Sequence, residues 1–207
     1  MTVTGEAERF WEERYRQKNR IWSGRVNPVM AAIVEPLKPG RVLDLGCGEG
    51  GDAVWLARHG WLVTGVDISA IALERSATHV AEAGLADRVT FERHNLAHGF
   101  PEGEFDLVSA QFLQSPIDFP HDQVLRRAAA AVAPGGMLLI VEHGAAPPWS
   151  EHSDADFPTA QETFESLHLD PQEWTVERAD SPEREATGPD GTPGILIDNV
   201  IAARRSQ

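Results

Sequence analysis

A cluster of glycines between two short apolar runs is the feature that most constrains this chain. The stretch RVLDLGCGEGGDAVWLARHGWLVTGVD, residues 41–67, predicts a strand, a glycine turn, a helix and a second strand that ends at Asp67. Such a unit cradles adenine nucleotides, because the turn presents free backbone N–H groups at the edge of a parallel sheet. Gly46, Gly48 and Gly51 also fit the dinucleotide spacing G-x-G-x-x-G, so the glycines alone do not identify the nucleotide.

Strand-like and helix-like segments alternate through the first two thirds of the chain. This alternation predicts an α/β fold with a mostly parallel, doubly wound sheet. The predicted strands cover residues 41–45, 61–66, 88–93, 104–110 and 137–143, and the predicted helices cover residues 5–19, 28–37, 51–59, 70–83 and 121–133.

The pattern changes after residue 143. Thr159 and Glu162 form a capping box that predicts a short helix, to about residue 167. Two strand-like runs follow at 173–181 and 194–205, and no helix fits between them. They predict an antiparallel hairpin at the edge of the sheet. The long loop at 144–158 is a candidate for a functional segment, because long loops in compact domains often carry function.

The length of 207 residues predicts one domain, 1–207. We divide it into an N-terminal helical cap, a cofactor-binding half, and a last part with the substrate loop, short helix and hairpin; these cover residues 1–39, 40–143 and 144–207.

Composition limits the partners of the chain. It has 32 acidic residues against 18 Lys plus Arg, a formal net charge of −14, which disfavours a nucleic-acid partner. It has no stretch of roughly 20 apolar residues, so we expect no membrane contact. The N-terminal sequence lacks the apolar centre of a signal peptide, and the single cysteine rules out an internal disulfide, so we expect a cytoplasmic protein. A monomer and a homodimer are both open.

Two acidic residues separate the candidate ligands. Asp44 lies two residues before the first glycine, where a carboxylate would oppose the diphosphate of NAD and suit the amine and sulfonium of S-adenosylmethionine. The alternative role for Asp44 is to hydrogen-bond the turn. Asp67 can accept hydrogen bonds from both ribose hydroxyls of either ligand. The C-terminal hairpin differs from the second half of a dinucleotide fold, so we expect S-adenosylmethionine.

The stretch VLDLGCGEGGDAVWLARHGWLVTGVDIS, residues 42–69, resembles motif I and its acidic partner in the class I S-adenosylmethionine-dependent methyltransferases. The resemblance extends over about residues 10–205. It implies a seven-stranded sheet whose last strand is inserted antiparallel, and a methyltransferase that uses S-adenosylmethionine and releases S-adenosylhomocysteine.

The resemblance also implies the residues that bind the cofactor. Backbone groups around Cys47 would approach the methionine part, and the methyl group would point toward the end of the fourth strand. Asn95 stands where the family commonly has an aspartate facing the adenine amine. Tyr15 and Trp22 are candidates for contact with the sulfonium, or for ordinary apolar packing. The predicted cofactor-binding residues are Tyr15, Trp22, Asp44, Gly46, Cys47, Gly48, Asp67, Ile68, Asn95, Leu96, Gln111 and Phe112.

The methyl acceptor is expected to be a small molecule. WEERYRQKNRIWSGRVNP, residues 11–28, resembles tellurite-resistance and thiopurine methyltransferase-like proteins, which implies a soft sulfur, selenium or tellurium acceptor that needs little help from a base. The alternatives are an oxygen or nitrogen acceptor, and a non-catalytic protein that only binds the cofactor.

For an oxygen or nitrogen acceptor, His143 and His152 are candidate bases that line the substrate. His121, near the start of a helix, could also face the acceptor. Trp149 either closes the pocket or anchors its loop. No metal site is expected, because the sequence has no Cys/His ligand spacing of the kind that binds zinc.

Overall fold

The structure of the protein is a computed structural model, which describes residues 4–150, 157–188 and 190–207. The helices are α1 (Thr4–Arg16), α2 (Pro28–Val34), α3 (Gly51–Arg58), α4 (Ala70–Glu82), α5 (His121–Ala130) and α6 (Ala160–Ser166). The strands are β1 (Arg41–Leu45), β2 (Leu62–Asp67), β3 (Val89–Arg93), β4 (Phe105–Gln111), β5 (Val132–His143), β6 (Trp174–Asp180), β7 (Glu183–Thr187) and β8 (Pro193–Arg205).

Seven of the eight described strands lie in one sheet in the order β3-β2-β1-β4-β5-β8-β6, and β7 pairs with β8. The neighbours from β3 to β5 are parallel, and β8 runs antiparallel between β5 and β6. The predicted doubly wound sheet with its antiparallel C-terminal pair is therefore confirmed. In this order the carboxyl ends of β1, β4 and β5 lie side by side at one edge, which is where ligands bind in open α/β sheets.

Both faces of the central strands are buried, which explains their nearly continuous apolar sequences. One face packs Leu43, Val108 and Ile140 with apolar residues of α5 and α6. The other face packs Val42 and Leu107 with residues of α2 and α3. Consecutive residues of one strand therefore lie on opposite sides of the sheet, and two side chains share a site only when they project from the same side.

Helix starts follow the capping residues predicted from the sequence. The Asn27 and Ser69 side chains accept backbone N–H bonds at the starts of α2 and α4, and Thr159 forms the predicted capping box with Glu162. The helix ends differ from the prediction. Helix α1 ends at Arg16, before a run of polar residues, and α2 ends at Val34.

Two parts of the sheet differ from the prediction. Strand β5 begins at Val132, and the Pro-Gly-Gly segment at 134–136, predicted as a break, lies at an irregularity in the pairing of β4 with β5. Strand β7 was not predicted. It pairs only with the outer part of β8 and forms a two-stranded ribbon whose sequence, EREAT, is charged rather than apolar.

Within the described ranges, no helix is long and apolar enough to cross a bilayer.

Candidate active site

The glycine turn joins β1 to α3 and needs glycine for two reasons. Gly46 and Gly48 have φ angles of 68° and 54°, in the left-handed region that disfavours other residues. A Cβ at Gly46 would lie 2.7 Å from Leu113 Cδ1, and one at Gly48 would lie 3.1 Å from Tyr15 Oη. The turn is therefore closely covered by the segment after β4 and by the N-terminal segment.

Asp44, one residue before the end of β1, is buried although one of its carboxylate oxygens has no partner among the described residues. The residue is 2% exposed, and its Oδ2 has no hydrogen-bond partner among the described residues. Burial, followed by the nearby Asp52 and Asp67, raises the pKa of Asp44 well above its usual range. A buried polar atom without a partner indicates a missing ligand or water, and here that ligand is favoured if it is a cation.

Asp52 was missed by the sequence reasoning. It lies in the first turn of α3 and accepts the backbone N–H of Asn27 at 2.8 Å. Burial nevertheless raises the pKa of Asp52 to about 6. The Asn27 side chain in turn donates from Nδ2 to Gln111 Oε1 at 2.9 Å. This chain of hydrogen bonds ties the glycine turn to the end of β4, and its only local sequence signal was an acidic residue near a helix start.

Asp67 lies at the end of β2, as predicted, and its two oxygens face the turn. Oδ2 accepts the Gly48 N–H at 3.0 Å and Oδ1 accepts the Ser69 N–H at 2.9 Å. Each oxygen keeps a further lone pair for a ligand hydroxyl. Burial raises the pKa of Asp67 to about 6, although backbone hydrogen bonds from Ser69, Gly48 and Ile68 oppose the rise.

The three carboxylates together select the charge of the ligand. Asp44 and Asp67 are buried and Asp52 is half-buried around one turn, and burial is the largest cause that raises the pKa of each of them. A diphosphate would add negative charge to this cluster. S-adenosylmethionine carries an ammonium and a sulfonium, so the residues present fit it and do not fit NAD.

The N-terminal segment lies against the same turn. Tyr15 is 3% exposed, and its Oη accepts the Trp22 Nε1–H at 3.0 Å. Burial and the charge of Asp67 raise the pKa of Tyr15, so it stays a neutral phenol. Trp22 is 45% exposed and lies close to Gly48. The structure thus brings both predicted aromatic residues to the glycine turn.

Glu49 anchors this segment and was also missed. Its Oε2 accepts the backbone N–H groups of Ile21 and Trp22 at 3.0 and 2.9 Å, and its Oε1 accepts from Arg75 Nη1 at 2.8 Å. Burial opposes the charge of Glu49, but these hydrogen bonds prevail and lower its pKa. The anchor depends on pairings between residues 26 to 28 positions apart, which no local pattern reveals.

Changing Glu49 to Gln should therefore loosen the N-terminal segment. We expect a loss of roughly 1–3 kcal/mol in the free energy of unfolding, because glutamine is neutral and has one acceptor oxygen, so either Arg75 or the two backbone N–H groups lose their acceptor. Hydrogen exchange of residues 17–26 should become faster. The control is Glu13→Gln, which removes an exposed ion pair with Arg16 and should cost less than about 1 kcal/mol. Equal effects of the two changes would contradict this role of Glu49.

Other predicted cofactor residues are Cys47, in the turn itself, and residues that follow β2 and β3. The backbone N–H of Cys47 donates to Val66 O, and burial raises the pKa of its thiol, so the thiol is neutral and poorly suited to redox chemistry. Ile68 is half-buried, and Asn95 Oδ1 accepts the Ala97 N–H at 3.1 Å. The side chain of Leu96 packs in the core on the α5 side.

Phe112 and His143 form the edge of the site beyond β4. Phe112 has a φ angle of 51°, a strained conformation for a non-glycine residue. Its ring centroid is 4.5 Å from that of His143. The Nδ1 atom of His143 is buried and has no hydrogen-bond partner among the described residues, and burial lowers the pKa of His143. Gln114, which the sequence did not single out, holds the His143 backbone through both its N–H and its carbonyl.

The other described residues that the sequence predicted to face the acceptor are not grouped with His143. Trp149 packs against Gly188 and Gly194 of the β7–β8 ribbon, which favours the role of loop anchor. His152 lies outside the described residues. His121 Nε2 is 3.1 Å from Glu142 Oε2, too poorly aligned for a good hydrogen bond but close enough for an ion pair. Since Glu142 and His143 are consecutive in β5, they point to opposite faces, and His121 does not share a site with His143.

Known proteins resemble this chain in sequence. Residues 42–136 match the family described as "Methyltransferase domain". A 2-heptyl-1-hydroxyquinolin-4(1H)-one methyltransferase of Mycobacteroides abscessus is 32% identical over 180 residues, covering 82% of this chain and 74% of that protein. The methyltransferase GfsG of Streptomyces halstedii is 40% identical over 105 residues, covering 49% of this chain. GfsG and three further curated relatives are matched over only 22% to 39% of their own length.

Solved structures share the fold. One, from work on the conversion of a disulfide bond into a thioacetal group during echinomycin biosynthesis, has a TM-score of 0.73 at 23% identity and covers 96% of this chain and 93% of that one. TehB from Haemophilus influenzae has a TM-score of 0.70 at 15% identity and covers 95% of this chain and 67% of that one. Identities this low show the arrangement of helices and strands and leave the chemistry to the site itself.

Proposed function

Because the chain belongs to the class I S-adenosylmethionine-dependent methyltransferases, we propose that it transfers the methyl group of S-adenosylmethionine to a small molecule. The observation that carries the proposal is the Oδ2 of Asp44, which has no partner among the described residues and lies at the glycine turn with the buried Asp67 and the half-buried Asp52. Within the described residues none of these carboxylates forms an ion pair, and this cofactor supplies two positive groups.

The chain would hold the cofactor through the residues around the turn. Asp44 would face the ammonium, directly or through water, and Asp67 would accept from the ribose hydroxyls. The backbone of the turn, from Gly46 to Gly48, would approach the methionine part. When bound, the cofactor supplies an electrophilic methyl group, so the main task of the protein is to bring the acceptor in line with it, at about 3 Å.

A small-molecule acceptor is supported by charge and by relatives. The net charge of −14 opposes binding to a phosphate backbone. Several relatives are named for small compounds, among them a probable tocopherol O-methyltransferase of rice and ubiquinone biosynthesis O-methyltransferases of bacteria. The location in the cytoplasm and the oligomeric state stay predictions.

Two classes of acceptor are open to test. The soft acceptor predicted from residues 11–28 would need only proximity to the methyl group. A hydroxyl acceptor is favoured by a different observation, the buried imidazole of His143 beside Phe112.

The proposal is tested by measuring release of S-adenosylhomocysteine from the purified protein with a panel of acceptors. The panel contains thiophenol, selenite and tellurite with a reductant, catechol, 2-heptyl-1-hydroxyquinolin-4(1H)-one, an aliphatic carboxylate and an amine. We expect turnover of at least one small molecule. Binding of S-adenosylmethionine without turnover of any acceptor in this panel would instead favour a non-catalytic cofactor-binding protein.

A further inference from the structure

The surroundings of His143 indicate which acceptor the site is built for; this inference rests on the proposed function. Register places Asp198 of β8 directly opposite His143 of β5. Opposed residues of antiparallel strands project from the same face, and Asp198 is 1% exposed. A carboxylate therefore lies buried beside the imidazole.

The β7–β8 ribbon supplies the counter-charge. Arg184 of β7 forms an ion pair with Asp198, donating from Nε to Oδ2 and from Nη2 to Oδ1. This contact explains why an otherwise polar strand pairs with β8. It also holds the carboxylate in a fixed position next to His143, so its field acts on the imidazole without binding it directly.

His143 also belongs to the cofactor edge of the sheet. Its ring lies against Phe112, which follows Gln111 at the end of β4. Gln111 is linked through Asn27 to Asp52 at the glycine turn. The next residue along, Leu113, approaches Gly46. The imidazole is therefore at the carboxyl end of β5, one strand away from the end of β4 where the methyl group is expected.

The charged groups around His143 and its own burial set its charge. Burial has the largest effect and lowers its pKa, the carboxylates of Asp198 and Glu142 raise it, and Arg184 lowers it. The imidazole is therefore neutral at pH 7 with its Nδ1 unpartnered, a state in which it can accept a proton. Once protonated, it would gain the attraction of Asp198.

We propose that the acceptor is a compound with an ionisable hydroxyl, such as a phenol or an N-hydroxy heterocycle, and that His143 takes its proton through Nδ1 as the methyl group is transferred. The oxygen forms the new bond to the methyl carbon, and the carbon–sulfur bond breaks with its electron pair staying on sulfur. The proton moves from oxygen to Nδ1 and then to water, which balances the charge. Asp198 acts through His143 as a positioning residue that stabilises the protonated ring.

The experiment compares His143→Asn, Asp198→Asn and the control His59→Asn, using catechol and 2-heptyl-1-hydroxyquinolin-4(1H)-one as hydroxyl probes. The asparagine at 143 keeps a polar amide near the position of Nδ1 but takes no proton. His59 is exposed at the C-terminal end of α3, whereas the glycine turn precedes the N-terminal end of that helix. Three quantities are measured: the affinity for S-adenosylmethionine by calorimetry, kcat as a function of pH, and the NMR titration of the His143 ring in the unliganded protein.

We expect His143→Asn to lower kcat on the hydroxyl probes roughly 10²- to 10⁴-fold, with cofactor affinity changed less than about threefold. Asp198→Asn should lower the pKa of His143 in the NMR titration and move the acidic limb of the pH profile to lower pH by the same amount. A merely structural role of Asp198 would change the yield of folded protein without moving either value. His59→Asn should match the wild type.

Three results would overturn the inference. The first is that His143→Asn turns over the hydroxyl probes about as fast as the wild type does, and the second is that the wild type turns over only the soft acceptors. The third is that Asp198→Asn leaves the pKa of His143 unchanged in the NMR titration. The second result leaves the proposed methyltransferase intact. A wild-type protein that binds no S-adenosylmethionine would instead remove the proposed function itself, and the inference with it.

Discussion

Replacing Asp67 by alanine should weaken S-adenosylmethionine binding at least about a hundredfold. The change removes both carboxylate oxygens that face the turn. With them go the two charge-assisted hydrogen bonds that we propose to the ribose, each worth about 1.5–3 kcal/mol. It also frees the N–H groups of Gly48 and Ser69, so the turn itself becomes less ordered. Calorimetric titration with S-adenosylmethionine measures the effect directly.

Two further variants separate binding from folding. Asp67→Asn keeps one oxygen acceptor and should retain part of the affinity, and its thermal unfolding should show an intact domain. Asp87→Asn removes the same charge from an exposed loop and should bind like the wild type. If Asp67→Ala bound S-adenosylmethionine as tightly as the wild type, Asp67 would not bind the ribose. The main support for a nucleoside ligand at this turn would then be lost.

The unliganded protein should become more stable relative to Asp67→Asn as the pH falls from about 7.5 to 5. Asp67 has a pKa of about 6 in the folded protein and about 3.8 when unfolded, so between these values the folded state binds the additional proton. Its contribution to stability therefore falls as pH rises through this window. We expect Asp67 alone to account for about 1.4 kcal/mol between these two pH values and about 3 kcal/mol over the full titration. Asp52, with the same raised pKa, should add a change of the same sign.

The cofactor should reverse this behaviour. Its positive groups favour ionised carboxylates, so its affinity should fall below about pH 6, roughly tenfold per pH unit for each carboxylate that must lose a proton. Asp44→Asn tests the cause, since it removes one buried charge at nearly constant shape. That variant should be more stable than the wild type without cofactor at about pH 7.5 and should bind S-adenosylmethionine more weakly. Denaturation curves with and without cofactor measure both effects, and a variant less stable than the wild type would contradict an uncompensated charge at Asp44.

The sequence predicted the half of the site that depends on local chemistry. A glycine turn with left-handed φ angles needs glycines at Gly46 and Gly48, and the strands on either side needed to be apolar, so this pattern is written in consecutive residues. Asp44 stood out because it lies two residues before the first glycine, and Asp67 because it ends the second strand. The order of strands and helices followed from the same periodicity, and the structure confirms it except for the additional strand β7.

The parts that were missed depend on pairings across the fold. Nothing around Glu49 indicates that it holds the backbone of Trp22 and the guanidinium of Arg75. Strand β7 has no apolar alternation, because its role is to pair with β8 and carry Arg184 to Asp198. The separation of His121 from His143 follows from the alternation of side chains along β5, and it became visible only when the partner of Glu142 was known. Such contacts are set by register, which a single sequence does not specify.

Calorimetric titration of the wild-type protein with S-adenosylmethionine, beside a parallel titration with NAD, tests the central claim most directly. The carboxylates of Asp44, Asp52 and Asp67 at the glycine turn should favour the cation, so S-adenosylmethionine should bind one-to-one and NAD should show no measurable heat. Tight binding of NAD, or no binding of S-adenosylmethionine, would contradict the assignment of the glycine turn to S-adenosylmethionine.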